Sequence, residues 1–392
     1  MIPEPVQTAS AATSATAPHP ARPRLLCLDA LRGFDMFWIV GGDQLIRAFH
    51  KISDIPLTRT LFDQMEHAAD EQKVIASKPG PVEWAGFHFY DLMFPLFVFM
   101  VGISIVYSVP RMLEERGRAA TIGRIIKRSA LLVFFGVVYM AWGYGGFWLA
   151  GVLQRIGTSY LFAALLFCFF RPKALVAICS ACLVGYWALL RFVPMPGVDH
   201  PSFEHGLNLA FWIDQHFLPG NKFEGTILST IPSVANCLLG VFAGLLITNE
   251  KIADTRKPIW LIGAGLTSLV IGYTWGEFFP IIKMLWTSTY VLVACGYSAI
   301  LLGVFYQVIE IWKIRKWATP FVWIGSNAIT IYLVSAFFGF RKLAGRFTGG
   351  EVQQFFDAHL WNSGELVRAV VALALMFCVV RFLYTRKIFI RL

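Results

Sequence analysis

A stripe of polar residues runs through an apolar segment near the start of the chain. Asp29, Arg32, Met36 and Asp43 recur at roughly helical spacing along Arg24-Leu25-Leu26-Cys27-Leu28-Asp29-Ala30-Leu31-Arg32-Gly33-Phe34-Asp35-Met36 and on to Gly41-Gly42-Asp43. Charges inside a membrane cost at least about 2.5 kcal/mol each on insertion scales, so they face a polar interior and mark a functional path. A second polar set stands at the ends of other apolar stretches. It comprises His67, His88 and Asp91, Gln154 and Arg155, Glu224, Lys283 with Trp286, and Asn327. With no HExxH, P-loop or dinucleotide fingerprint, these residues suit acyl transfer or transport. Acyl transfer needs a base for an attacking amine or hydroxyl and donors for the oxyanion that develops on a thioester carbonyl. It also needs cations for coenzyme A phosphates. Transport would use the same residues as a proton relay and substrate clamp. Each residue also has a structural reading: Arg155 snorkelling to the interface, Asp91 starting a helix, Asn327 bonding between helices.

The elements that must position these groups are membrane helices. Of 392 residues, 57% are hydrophobic and only 15% charged, which leaves no room for a large soluble domain. Apolar runs of about 20 residues, the thickness of a bilayer core in helix, recur near 30–49, 87–109, 126–145, 153–170, 174–193, 226–247, 258–279, 284–308, 317–340 and 365–384. The pattern predicts an all-α, polytopic transmembrane bundle of about ten to eleven spans in a single domain over 22–392. The gaps 50–86, 194–225 and 341–364 are predicted outer loops or lids. Residues 1–21, rich in Ala, Thr, Ser and Pro, read as a disordered tail rather than a signal peptide.

Basic residues collect on alternate connections: Arg111 to Arg128, then Arg171 and Lys173, then Lys251 to Lys257, Lys313 to Lys316 and Arg381 to Arg391. The positive-inside rule puts these connections, and with ten spans both termini, in the cytoplasm. The net charge of +10 follows from that rule and needs no nucleic acid to explain it. Arg24, Arg32, Arg124, Lys127 and Arg128 then form an inner basic group suited to coenzyme A phosphates. The seven cysteines lie in or beside spans with no metal-ligand spacing, so no metal site is expected and they read as packing residues.

The ordered motifs resemble the heparan-α-glucosaminide N-acetyltransferase family, particularly its bacterial members. They are Leu28-Asp29-Ala30-Leu31-Arg32-Gly33, Trp84-Ala85-Gly86-Phe87 running into Tyr90-Asp91-Leu92-Met93-Phe94-Pro95, and Gly151-Val152-Leu153-Gln154-Arg155. Phe223-Glu224-Gly225, Leu239-Gly240-Val241-Phe242-Ala243-Gly244, Lys283-Met284-Leu285-Trp286-Thr287 and Trp323-Ile324-Gly325-Ser326-Asn327-Ala328 complete the set. The resemblance implies transfer of acetyl from cytosolic acetyl-CoA to a glucosamine-type amine across the membrane. It implies His67 as the catalytic histidine, with 69–82 as an insertion before Trp84 and His88 as the substitute base. Asp43, where the family has asparagine, would orient His67 in the manner of a triad carboxylate. Asp91, Gln154, Arg155, Glu224, Lys283, Trp286 and Asn327 are expected to bind substrate. His67 would act as a general base or carry the acetyl group itself. A free amino sugar, a cell-wall fragment or another exported glycan is the expected acceptor, in a bacterial inner membrane. A transporter of amino sugars is the alternative. The apolar aromatic spans would also allow a homodimer in the lipid.

Overall fold

Apolar runs of this length must satisfy their own backbone hydrogen bonds, and helices do so within each segment. The computed structural model of the chain describes residues 25–69, 74, 77, 80, 83–220, 225–361 and 363–389. The predicted tail, 1–21, lies outside the described residues, as do Arg24 and Glu224. The described residues are helical throughout their ordered elements, apart from isolated bridge residues such as the Gly80–His205 pair.

The first helix, α1 (Leu26–Phe37), passes through a π turn at Trp38–Gly42 into α2 (Asp43–Ile52), followed by the short α3 (Pro56–Met65). After a 3-10 turn at Phe89–Leu92 comes α4 (Met93–Tyr144), then α5 (Val152–Phe169) and α6 (Pro172–Phe192). Next are α7 (Leu209–Phe217), α8 (Thr230–Thr248), α9 (Lys257–Gly276) and α10 (Ser288–Tyr306). The chain finishes with α11 (Thr319–Gly325), α12 (Ala328–Phe338), α13 (Phe340–Thr348), α14 (Glu351–His359) and α15 (Gly364–Thr385). The gaps predicted as outer loops are therefore not bare loops. Each carries short helices, α3 in the first, α7 in the second, α13 and α14 in the third.

Among the described residues, seven helices are long and apolar enough to cross a membrane. The count rises to eight if α11 and α12, bent by 67° at Ser326–Asn327, act as one broken span. One of the seven runs from Phe89 to Gly143, 55 residues. Straight, it would extend roughly 80 Å at helical rise, far beyond a bilayer core. It is not straight. Gly117 has φ 75° and ψ 172°, a left-handed conformation that glycine adopts without penalty. Met93 and Phe97 from one half line the same cavity as Tyr139 and Met140 from the other, so the halves fold back on each other.

Helices in lipid gain little from apolar burial against each other and pack instead through small residues that let backbones approach. The crossing of α1 and α11 is built this way. A Cβ on Gly33 would overlap the carbonyl of Phe321, and one on Gly325 the carbonyl of Asp29. That crossing fixes the stripe of α1 that carries Arg32 and Met36 relative to the break at Asn327.

Candidate active site

The site grows from a strained turn, an irregular strand of backbone and a helix start. Asp91 sits in the 3-10 turn whose cap is His88, and its Oδ2 accepts the backbone N–H groups of His88 (3.1 Å) and Ala68 (3.0 Å). This is the reach-back that a carboxylate three residues into a helix start makes naturally. The Asp91 carbonyl is in turn held by the Tyr290 hydroxyl at 2.7 Å. Asp91 is 1% exposed, so its other oxygen is aimed by the scaffold rather than by solvent. That oxygen, Oδ1, lies 2.8 Å from Nδ1 of His67.

Lys283 completes the cluster. Its Nζ is 3.4 Å from Asp91 Oδ1, 2.9 Å from Nδ1 of His67 and 3.2 Å from Nε2. Nδ1 cannot both donate to Asp91 and accept from Lys283. An ionised carboxylate oxygen at 2.8 Å only accepts, so we assign the proton to Nδ1 and leave the Nε2 lone pair to receive Lys283. A histidine so protonated is the tautomer a general base requires, with its free nitrogen turned away from the carboxylate.

Lys283 is carried by the turn between α9 and α10. Trp286 in that turn has φ 53°, an unusual backbone for a bulky residue. The surroundings hold it there. Trp286 N–H donates to the Lys283 carbonyl (2.9 Å), Thr287 N–H to Ile282 (3.2 Å), and the buried Tyr186 hydroxyl to Leu285 (2.6 Å). Such over-determined strain clusters where side chains need fixed aim.

His67, Lys283, Arg155 and Trp286 line one cavity of about 370 Å³, with Met36 of α1, Tyr90, Phe94 and Phe97 of the 3-10 turn and α4, and Tyr332 of α12. The Arg155 guanidinium lies over the Trp286 ring at 4.4 Å, a cation–π pair in a buried setting. Asp214, in the short helix α7, accepts the backbone N–H groups of Ile227 (2.9 Å) and Thr226. Burial pushes its carboxyl above the ordinary range, against the opposing pull of those N–H groups and of Arg155. The wall is thus mostly apolar, with a small cluster of polar groups at one end, the usual make-up of a small-molecule site.

Other nominated residues fall elsewhere. Asp43 accepts from Arg47 Nε at 3.2 Å, and it is Asp91 that reaches the His67 ring. The His88 ring bonds the Glu66 carbonyl at 3.2 Å and does not line the cavity. Gln154 is buried beside the wall, its Nε2 donating to Trp148 O at 3.2 Å. Asn327 caps α12 at the break, between the lining residues of α12 and the α1 crossing. Arg32 stays inside the bundle, paired with Asp29 at 3.5 Å and donating to Ser104. Arg128 lies over the Tyr160 ring at 4.8 Å, while Arg124 and Lys127 point outward. The sequence did not single out Tyr90, Tyr139 or Tyr332 as cavity residues, nor Arg47 as a partner of the His67 segment.

A family model for heparan-alpha-glucosaminide N-acetyltransferase, catalytic, matches residues 70–275, more than half of the chain. The matched stretch contains Asp91, Arg155 and Asp214, begins just after His67 and ends before Lys283. The chain is similar to the heparan-alpha-glucosaminide N-acetyltransferase of Mus musculus, 29% identical over 378 aligned positions that cover 78% of this chain and 55% of that protein. It is also similar to that of Homo sapiens, 27% identical over 381 positions, 78% of this chain and 54% of that protein. The chain spans about half the length of these curated relatives.

Proposed function

The chain belongs to the heparan-α-glucosaminide N-acetyltransferase family, and from that premise we propose that it moves acetyl from cytosolic acetyl-CoA to the amine of a glucosamine-type sugar at the outer face of the membrane. The observation that carries the reading is the His67–Asp91–Lys283 cluster at the polar end of an otherwise apolar cavity. His67 Nε2 takes the proton of the attacking amine as its nitrogen bonds to the acetyl carbon. The C–S bond then breaks, and the thiolate leaves as the thiol with a proton returned from the imidazolium. Asp91 holds the ring and stabilises its charged form. Lys283, whose ammonium bonds Nε2 before substrate enters, shifts to the thioester carbonyl oxygen, freeing the Nε2 lone pair and stabilising the negative charge that develops on that oxygen. Arg155 and Trp286 hold the substrate, and the apolar wall takes the pantetheine arm. Arg32, with Arg24, Arg124, Lys127 and Arg128, attracts the coenzyme A phosphates.

The crossing count that fits this direction of transfer is ten. Splitting α4 at Gly117, treating α11 and α12 as one broken span, and adding α1 gives that number with both termini on one side. The first helix, only twelve residues before its π turn, carries Asp29, Arg32 and Asp35, so it is both short and less apolar than the other spans. The basic connections then face the cytoplasm of a bacterial inner membrane.

The test is thiol release from acetyl-CoA by the purified protein, with and without glucosamine, for wild type and His67→Ala. Amine-dependent release that is lost in His67→Ala supports the reading. Saturable amino-sugar uptake into proteoliposomes without thiol release replaces it with a transporter. In sealed proteoliposomes, acetyl-CoA and acceptor supplied to opposite faces report the sidedness.

A further inference from the structure

His67 lies on backbone that belongs to no helix, immediately after α3 ends at Met65. Yet the peptide groups around it are tied down by side chains from three separate elements. The Met65 carbonyl accepts from Arg47 Nη2 at 2.9 Å, the Glu66 carbonyl from the His88 ring at 3.2 Å, and the Ala68 N–H donates to Asp91 at 3.0 Å. Arg47 does more than one of these jobs at once. Its Nη1 donates to the Glu66 carboxylate, its guanidinium lies 5.7 Å from the Phe62 ring centroid, and its Nε donates to Asp43 one turn earlier on α2.

We propose that Arg47 is a positioning residue for His67, with Asp43 aiming its guanidinium and the two residues preceding His67 as its target. This rests on the reading of His67 as the base. The planar fork of arginine can grip a carboxylate and a neighbouring carbonyl together, which the point charge of lysine cannot reproduce. Arg47 is 33% exposed and Glu66 44%, so the ion pair itself adds little to stability. What it supplies is aim. Catalysis by a proton-transfer group falls steeply when that group is misplaced by about 1 Å, by around 10²-fold. Asp43 thus acts on the site through Arg47 and the backbone, not on the imidazole ring.

The experiment compares wild type, Arg47→Ala, Arg47→Lys and Glu66→Gln as full-length detergent-purified protein. It measures kcat and KM for acetyl-CoA by thiol release. It also measures the rate at which diethylpyrocarbonate modifies His67, read by mass spectrometry of that peptide. Arg47→Ala should lower kcat at least about tenfold with KM for acetyl-CoA unchanged, Arg47→Lys should recover only part of it, and His67 should be modified several times faster. Should Arg47→Ala fail to fold, the same two shifts in Glu66→Gln carry the inference. An unchanged modification rate, or a kcat within about twofold of wild type while His67→Ala is inactive, overturns it. A faster modification rate in a protein with no acetyl transfer at all leaves the tether standing and removes the proposed function instead.

Discussion

Asp91 and His67 are 24 residues apart in sequence and 2.8 Å apart in space, and the carboxylate that joins them is 1% exposed. Its second oxygen is taken by two backbone N–H groups, so Asp91 has no freedom to turn away from the ring. The imidazole, 30% exposed, keeps its other nitrogen toward the cavity and Lys283.

Asp91→Asn keeps an acceptor for the Ala68 and His88 N–H groups but removes the charge that fixes the His67 tautomer. We expect kcat to fall by about 10²-fold or more with little change in thermal stability, since the triad analogue loses about 10⁴ when its aspartate is amidated. Steady-state thiol release with a melting curve in detergent checks both halves. Activity within a few-fold of wild type would remove Asp91 from the mechanism.

Lys283→Met preserves length and apolar bulk while deleting the ammonium. It should cost about 10²–10³-fold in kcat, the range for losing one oxyanion donor. Lys283→Arg should not restore it, because a guanidinium is wider and its donors are fixed in a plane. A loss confined to KM would instead assign Lys283 to binding.

The imidazole and an acceptor amine both act only without their extra proton. Activity should therefore rise with pH. A flat profile for the wild-type protein would argue against base catalysis.

Gly33→Val drives a side chain into the Phe321 carbonyl at the crossing of α1 and α11. Forcing helices apart in a packed interface should cost about 1–3 kcal/mol and displace Met36 from the cavity wall. Gly123→Ala, with nothing within 4 Å of the added carbon, is the matched control and should melt like wild type. Equal melting temperatures for the two variants would mean that the crossing is looser than described.

Much of the bundle is readable from hydropathy alone, because each apolar run of bilayer length has few other ways to satisfy its backbone. The reversal at Gly117 is legible too, since the charged segment from Arg111 to Arg128 separates the apolar runs 87–109 and 126–145. Candidate site residues are readable as polar outliers in apolar surroundings, and His67, Asp91, Arg155, Lys283 and Trp286 stand out for that reason. Their pairing is not. Helical spacing extends the polar stripe from Asp29 to Asp43, but Gly41 breaks the helix and Asp43 opens α2, where Arg47 four residues on engages it and carries it away from the His67 ring. The contact between His67 and Lys283 spans 216 residues, a purely tertiary fact. Tyr90, Tyr139 and Tyr332 gave no signal among 35 phenylalanines, 12 tyrosines and 13 tryptophans.

That 216-residue separation also sets an order of events during synthesis. His67 and Asp91 leave the ribosome close together, whereas Lys283 follows only after α4 to α9 have been made, many seconds later at usual elongation rates. Through that interval the Asp91 carboxylate and the His67 ring can meet each other but not the ammonium that completes the cluster. The cluster therefore closes only in a chain made at least as far as Lys283, and no shorter product can hold it.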